Sequence, residues 1–350
     1  MRGAMLTTPL TGSTQRAFVY DFSSPARHMA FTAIPMRTEA ALRDGQLLVA
    51  VHAFALNPVD YKLPMMVPFA SLFMSGLPVA QDFAGIVIAS RDATFPPGAR
   101  VFGTCEGSLG GAATEIIIVS SAAVANMPSD LSFSDAAALN TVAQTGLQAF
   151  RFGGLASGGR ALIVGASGGC GSIGVQLARE IVGPTGSVVG VAGSSSAAAV
   201  LSLGADACVD YNSDIVTELL AGERFDLIYD TVSSAEKGDD LRGVRYIDAL
   251  RPCLKPGGKY VSINGTASEW IRALLCSCCL PRGVVLFFQS SSAEDLRYIS
   301  SLVANQKLHA TVDTVHSSFT EENCESAYAR LKSRRAKGKL VIQVVATEGQ

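Results

Sequence analysis

The chain has 350 residues, of which 48% are hydrophobic and 17% are charged, and its formal net charge is −2. This length can bury a large core and indicates two domains, and the near-neutral charge argues against a nucleic-acid or anionic-membrane surface as the main partner. The apolar run over 274–288 contains Pro281 and Arg282, so the sequence predicts no integral membrane segment.

Eight cysteines are spread along the chain, and no C-x-x-C pair has a matching second pair. A chain of this size does not need disulfides, so a reduced, cytoplasmic protein is the simplest interpretation. The first twenty residues contain Arg2, Arg16 and several threonines but no acidic residue. This faint similarity to a transit segment leaves a mitochondrial location as the alternative.

The first 130 residues alternate apolar segments with turns, which predicts a β-rich domain. The expected strands lie in AFVYDF, QLLVAVHAFAL, DFAGIVIA, FPPGARVFG and ATEIIIVS. Ser134 and Asp135 are then predicted to cap an alanine-rich helix.

The middle of the chain changes to strands that alternate with helices, the pattern of a parallel sheet. Its expected strands are RALIVG, SVVGVA, ACVDY, FDLIYDTV and GKYVSI, followed by GVVLFFQS from Gly283. Ser291 and Ser292 are predicted to cap a helix, a second helix carries apolar residues at 324, 327, 328 and 331, and a final strand begins at Leu340.

The segment Arg160 to Gly174 reads RALIVGASGGCGSIG and places G-x-G-x-x-G between a strand and an amphipathic helix. Glycine lets the backbone turn tightly and approach a pyrophosphate, while the N–H groups of the first helical turn face the anion. A flexible turn is the alternative, but the strand and helix on either side favour a dinucleotide site. Its expected residues are Ser167, Gly168, Gly169, Cys170, Gly171 and Gly174.

The end of the second strand of this block bears on which dinucleotide binds. An NAD-preferring site usually carries an acidic residue there for the ribose hydroxyls, yet no acidic residue occurs between Glu180 and Asp206. The strand runs instead into Gly193, Ser194 and Ser195, small donors that can accept a 2′-phosphate. A serine-rich turn that caps the next helix is the alternative, and both interpretations can hold. We expect NADPH rather than NADH.

Eight segments in register carry a resemblance to a known family. The segments are ALNPVDYK, QDFAGIV, PPGARVFG, AAALNTVAQTGLQAF, the glycine loop, LGADACVDY, LKPGGKYVSING and AKGKLVIQV. With them the chain resembles the zinc-independent quinone oxidoreductase (zeta-crystallin-like) branch of the medium-chain dehydrogenase/reductase superfamily, over nearly its whole length after residue 16.

The resemblance implies an α/β fold in which a Rossmann-type doubly wound parallel sheet (131–289) is inserted into a GroES-like β-rich catalytic domain (1–130 and 290–350). It also implies further cofactor residues. Asn57 and Thr145 would border the nicotinamide, Asn264 and Gly265 would meet the ribose, and Phe287 or Phe288 would pack near the carboxamide. Lys337 and Lys339 would reach the adenosine phosphate with Tyr211 and the serines near 194. The sequence alone leaves RRAKGK equally open as a solvated patch.

Zinc-dependent members of the superfamily place a cysteine and a His-Glu pair where this chain has Asn57–Asp60 and Gln81–Asp82. Because a catalytic zinc needs about three suitable ligands, we expect no metal. Cys276, Cys278 and Cys279 are interpreted as small buried or redox-sensitive residues.

The expected activity is hydride transfer from NADPH to a quinone or an α,β-unsaturated carbonyl. Asn57, Tyr61 and Lys62 are the candidate catalytic residues, and Tyr61 or Lys62 would supply a proton unless solvent does. An ordinary turn residue and a core tyrosine are the alternatives for Asn57 and Tyr61. An enoyl-thioester reductase and a low-turnover NADPH-binding sensor remain alternative functions. A homodimer through GVVLFFQS is the expected assembly.

Overall fold

The computed structural model describes residues 13–24, 27–66, 69–105, 111–213, 217, 219, 222, 224–233, 240–241, 243–265, 283–287 and 289–344. Seven residues singled out in the sequence lie outside these ranges: Arg2, Cys276, Cys278, Cys279, Pro281, Arg282 and Phe288.

One sheet contains seven strands in the order β16-β17-β3-β4-β5-β7, with β6 also paired to β3. Its strands are β3 (Gln46–Ala55), β4 (Asp82–Ser90), β5 (Arg100–Thr104), β6 (Ile116–Ser120), β7 (Val124–Asn126), β16 (Val312–His316) and β17 (Lys339–Gln343). Strand β17 runs antiparallel to β3 and parallel to β16. Segments from the two ends of the printed sequence therefore build one sheet, as the family resemblance implied.

A separate hairpin precedes this sheet and consists of β1 (Thr14–Ser24) and β2 (Arg27–Pro35). The sequence pattern predicted only the first of these strands. Two short helices, α1 (Pro58–Met66) and α2 (Ala70–Met74), follow β3 and were also not predicted.

The second sheet contains six parallel strands in the order β10-β9-β8-β11-β14-β15. They are β8 (Arg160–Val164), β9 (Ser187–Ala192), β10 (Ala207–Asp210), β11 (Phe225–Asp230), β14 (Leu254–Ser262) and β15 (Val284–Leu286). A small hairpin, β12 (Asp240–Leu241) and β13 (Val244–Arg245), lies beside it. This strand order is that of a doubly wound dinucleotide-binding sheet, and it confirms the predicted α/β class. The exact limits of the two domains remain a prediction.

Helix α3 (Phe133–Gly153) lies between the two sheets and contributes fourteen buried residues to the core. Its N-cap is Ser132, whose Oγ accepts a hydrogen bond from the Asp135 backbone N–H and donates one to the Asp135 carboxylate. The expected cap at Ser134 is therefore wrong by two residues. Ser134 is buried instead and accepts a hydrogen bond from Gln343 Nε2.

The other helices are α4 (Gly169–Val182), α5 (Ala197–Ser202), α6 (Tyr246–Leu250), α7 (Ala293–Ala304) and α8 (Glu321–Lys332). Ser292 caps α7, and α8 buries Cys324, Ala327 and Tyr328, as the spacing predicted. Within the described ranges, no helix combines the length and apolar character needed to cross a bilayer.

Candidate functional site

The glycine loop joins β8 to α4 at the carboxyl edge of the parallel sheet. Gly165 adopts φ +78°, and a Cβ on Gly171 would lie 2.0 Å from the Gly165 carbonyl oxygen. Gly168 caps α4 with no side-chain hydrogen bond, which leaves the N–H groups of the first turn for an anion. The cradle therefore fits a dinucleotide pyrophosphate, and Ser167 and Cys170 are half-buried within it.

The strand order reverses between β8 and β11, and ligands of such sheets bind beyond the carboxyl ends at this point. Thr231, just past β11, donates from Oγ1 to Val164 O, and Asn264 Nδ2 lies 3.4 Å from Thr231 O. Asn264 and Gly265, which follow β14, thus lie at the same edge as the glycine loop.

The predicted adenosine end lies beyond β9. Lys337 Nζ lies 3.2 Å from Ser195 Oγ and 3.4 Å from Ser195 O. Its ammonium thus reaches this turn from the segment just before β17 of the seven-stranded sheet. Tyr211 is 42% exposed and packs on Gly193, where an added Cβ would lie 3.3 Å from the phenol oxygen. Hydrogen bonds from the Asn212 backbone and from Ser194 lower the pKa of Asp210. An ammonium and a carboxylate therefore both lie at this end.

Lys339 lies elsewhere, and the expectation that it shares the position of Lys337 is corrected. It is only 4% exposed, and its Nζ donates to Leu56 O at 2.8 Å and to Asn57 Oδ1 at 2.6 Å and lies 3.2 Å from Asp82 Oδ2. An added Cβ on Gly169 would lie 3.0 Å from Lys339 Cδ. The side chain of Lys339 therefore approaches the glycine loop at Gly169. Its ammonium is held there by buried oxygen atoms of Leu56, Asn57 and Asp82.

Asn57 is buried and its amide is largely occupied. Its Nδ2 donates to Asp82 Oδ2 at 2.8 Å, while its Oδ1 accepts from Lys339. The other oxygen of Asp82 accepts hydrogen bonds from the backbone N–H and hydroxyl of Thr141. Thr145 Oγ1 donates to Thr141 O at 2.6 Å one turn further along α3. Asn57 and Thr145 thus belong to one hydrogen-bonded network.

Asp60 lies beneath this network and is 2% exposed. Its Oδ2 accepts from the Asn57 backbone N–H at 2.8 Å and lies 3.4 Å from the Tyr328 hydroxyl. Its Oδ1 has no hydrogen-bond partner among the described residues. Burial raises the pKa of Asp60 to about 7, although the Asn57 hydrogen bond and Lys339 act in the opposite direction.

Tyr61 and Lys62 follow Asp60 on α1 and are half-buried. The Lys62 and Lys332 ammonium groups lie 5.9 and 5.7 Å from the centre of the Tyr61 ring. The Tyr61 phenol and the Lys62 ammonium each carry a transferable proton, so either group can act as a proton donor.

The roles of Asp82, Thr141 and Asp60 were not predicted from the sequence. One signal was present: Asp82 and Lys339 each begin an apolar strand, and a charged residue in a buried strand normally has a partner. No group of three His, Cys, Asp or Glu side chains that could hold a metal ion occurs in the described part of the chain.

Two family models match the chain. One, described as an alcohol dehydrogenase GroES-like domain, matches residues 43–129, and the other, described as a zinc-binding dehydrogenase, matches residues 203–342. The first spans β3 to β7 of the seven-stranded sheet, and the second spans β10, β11, β14 and β15 of the parallel sheet together with β16 and most of β17.

Individual relatives match most of this chain. A 2-methylene-furan-3-one reductase from Solanum lycopersicum is 28% identical over 314 residues, covering 87% of this chain and 73% of its own. The trans-enoyl reductase pgmF from Aspergillus terreus is 28% identical over 359 residues, covering 95% of this chain and 97% of its own.

A solved quinone oxidoreductase from Coxiella burnetii is 27% identical, covers 95% of this chain and 100% of its own, and superposes with a TM-score of 0.77. The glycine cradle, the split seven-stranded sheet and these matches lead to one conclusion. The chain is an oxidoreductase of the medium-chain dehydrogenase/reductase superfamily, whose dinucleotide-binding sheet serves a nicotinamide cofactor.

Proposed function

We propose that the protein is an NADPH-dependent reductase that transfers a hydride to quinones or α,β-unsaturated carbonyls. One observation supports the preference for NADPH. The Lys337 ammonium lies 3.2 Å from Ser195 Oγ, beside a turn of small hydroxyl donors. A 2′-phosphate at this turn gains a cation from Lys337 and hydrogen bonds from Ser194 and Ser195. The hydroxyl of Tyr211 borders the same turn.

The proposed substrate class is supported by the proteins to which this chain is similar. A quinone oxidoreductase and a 2-methylene-furan-3-one reductase are both similar to this chain over most of its length. Quinones and enones share a flat, conjugated acceptor that becomes an oxyanion on hydride addition, so one site can accept both.

When bound, a reduced nicotinamide supplies the hydride. The chain contributes orientation: Gly169 and Gly171 let the backbone approach the pyrophosphate, and Thr145 borders the nicotinamide from α3. Asn57 is fixed by Asp82 and Lys339, so we assign it mainly a positioning role. Tyr61 or Lys62 donates the proton that the product oxyanion takes up.

We also propose that the reaction needs no metal. The positions at which zinc-dependent members of the superfamily carry ligands hold Asn57 and Asp82 here, and the Lys339 ammonium lies within 3.2 Å of both side chains. A divalent cation beside Asp82 would be repelled by this ammonium.

A second candidate function is reduction of an enoyl thioester. It is favoured by the trans-enoyl reductase, which matches 95% of this chain at 28% identity. A low-turnover NADPH-binding sensor is the remaining candidate.

The test is steady-state oxidation of NADPH and NADH by the purified protein with 9,10-phenanthrenequinone, a short alkenal and a crotonyl thioester. Faster NADPH oxidation with the quinone or the alkenal supports the proposal. Preference for the thioester supports the second candidate, and tight NADPH binding without turnover on any acceptor supports the sensor. Unchanged turnover after exhaustive chelation supports a metal-free reaction.

We propose a homodimer in which β15, an edge strand of the parallel sheet, pairs with its copy. Phe287 donates its backbone N–H to Ser262 of β14, so the backbone N–H of the preceding residue, Leu286, faces the open edge. Sedimentation of the parent protein and of Leu286→Pro tests the dimer, because proline removes this edge donor. We propose a cytoplasmic location, with the mitochondrion as the alternative, and imaging of the carboxyl-terminally tagged chain separates the two.

A further inference from the structure

Asp313 on β16 joins a side chain of α8 to the backbone that carries Lys337. Its Oδ1 accepts the Lys337 backbone N–H at 2.7 Å and a guanidinium N–H of Arg330 at 2.8 Å. Its Oδ2 accepts from Arg330 Nε at 3.1 Å. The Arg330 hydrogen bonds hold the pKa of Asp313 down at about 2, so the carboxylate is ionised at neutral pH.

The turn that carries Lys337 is also fixed on its other side. Gly338 adopts φ +114°, and an added Cβ there would lie 2.4 Å from Thr311 O. The next residue, Lys339, donates its backbone N–H to the same oxygen at 2.8 Å. Lys337 is thus held between two anchors on its own sheet, while its ammonium reaches Ser195 beyond the parallel sheet.

We propose that the Asp313–Arg330 pair is a cofactor-specificity device that positions Lys337 for the 2′-phosphate and so favours NADPH over NADH. This inference rests on the proposed function. A lysine is a point charge on a flexible stem, so where its ammonium can go depends on how firmly its backbone is held. NADPH and NADH differ only in the 2′-phosphate, and a change that acts through Lys337 therefore affects only NADPH.

The experiment measures Kd for both dinucleotides by fluorescence titration, without turnover. The proteins are the parent, Lys337→Met, Asp313→Ala, Arg330→Met and the double variant Lys337→Met/Asp313→Ala. We expect Lys337→Met to weaken NADPH binding by about tenfold, the usual scale of one charge-assisted contact. Asp313→Ala and Arg330→Met should weaken it about threefold to fivefold, because a positioned contact is loosened rather than removed. NADH binding should change by less than about twofold in all variants, since no contact of Lys337 to NADH is lost.

The double variant shows whether Asp313 acts through Lys337. Because the two residues form one unit, Lys337→Met/Asp313→Ala should bind NADPH no more weakly than Lys337→Met alone. Asp206→Ala is the matched control, since Asp206 also joins an arginine, Arg179, to a backbone N–H, that of Val188, at the opposite end of β9. It should lower the thermal midpoint and leave the NADPH to NADH ratio unchanged.

Equal weakening of both dinucleotides by Asp313→Ala and Arg330→Met, or additive losses in the double variant, would overturn the inference. A parent that prefers NADPH, together with variants that keep the full preference, would remove the inference and leave the proposed function standing. A parent without preference, unaffected by Lys337→Met, would remove both the NADPH proposal and this inference.

Discussion

The ammonium of Lys339 lies 3.2 Å from Oδ2 of Asp82, and both side chains are buried although 257 residues separate them in the chain. The pair fastens β17 to β4, and Asn57 completes its hydrogen bonds. Removing one member of a buried pair leaves an uncompensated charge, which is far more costly than losing the attraction itself.

We therefore expect Lys339→Met to destabilise the protein by about 3–5 kcal/mol. Lys307→Met is the control, because Lys307 pairs with Glu180 at the exposed surface, and exposed ion pairs contribute little to stability. Urea midpoints measure both changes. Adding Asp82→Asn to Lys339→Met should restore part of the loss, and equal midpoints for Lys339→Met and Lys307→Met would contradict the prediction.

Two glycines of the glycine loop, Gly168 and Gly171, differ in how much room an added methyl group would have. A methyl group on Gly171 would lie 2.0 Å from the Gly165 carbonyl oxygen, whereas one on Gly168 would lie 3.4 Å from it. Gly171→Ala should therefore displace the loop, weaken dinucleotide binding by about tenfold or more and lower the unfolding midpoint. Gly168→Ala should fold normally. Calorimetry with and without NADPH tests this, and similar behaviour of the two variants would refute it.

Asp60 makes stability depend on pH. Its pKa is about 7 in the folded protein and about 4 in the unfolded chain. Below about pH 4 both states are protonated, and between about 4 and 7 only the unfolded chain releases its proton, so this carboxyl destabilises the fold as pH rises. Above about pH 7 the penalty is complete.

Asp60→Asn, which stays neutral, should remove this dependence. The thermal midpoint of the variant relative to the parent should rise by on the order of 5 °C between pH 4 and 7. Asp295→Asn is the control, because it also replaces a buried carboxyl group with an amide. Curves that stay parallel for Asp60→Asn and the parent across this range would show that Asp60 is ionised throughout.

Tyr61→Phe tests the proton donor. If Tyr61 protonates the product oxyanion, the variant should lose about 10²-fold in kcat, the usual scale of general acid catalysis, while Kd for NADPH stays constant. Tyr298→Phe, at an exposed position on α7, is the matched control. Unchanged turnover in Tyr61→Phe would assign the proton to Lys62 or to solvent.

Much of the fold could be predicted because its signals are local. The apolar runs of β8, β9 and β11 and the glycines between β8 and α4 each reflect a requirement within a few residues. The cap of α3 was misplaced because Ser132 and Ser134 both precede acceptable helix starts, and only the backbone decides between them. The β1–β2 hairpin was missed because RHMAFTAIP does not alternate cleanly.

The candidate site was harder to predict because its partners are distant in sequence. Lys337 and Lys339 both lie in a short basic segment, and nothing local shows that one reaches Ser195 while the other enters the core. Strand alternation would place residues 337 and 339 on one face, but Gly338 between them adopts φ +114°, and the two side chains reach different partners. Asp313 and Arg330 were missed for the same reason.

The position of β17 in the seven-stranded sheet has a consequence during protein synthesis. Strand β3 pairs with β17, yet Leu56 leaves the ribosome 283 residues before Lys339, the residue that binds its carbonyl. At ordinary translation rates this interval is about 15–60 s. During this interval the part of β3 that pairs with β17 is unpaired and Asp82 lacks the Lys339 ammonium, so the nascent sheet exposes an edge at which it can aggregate.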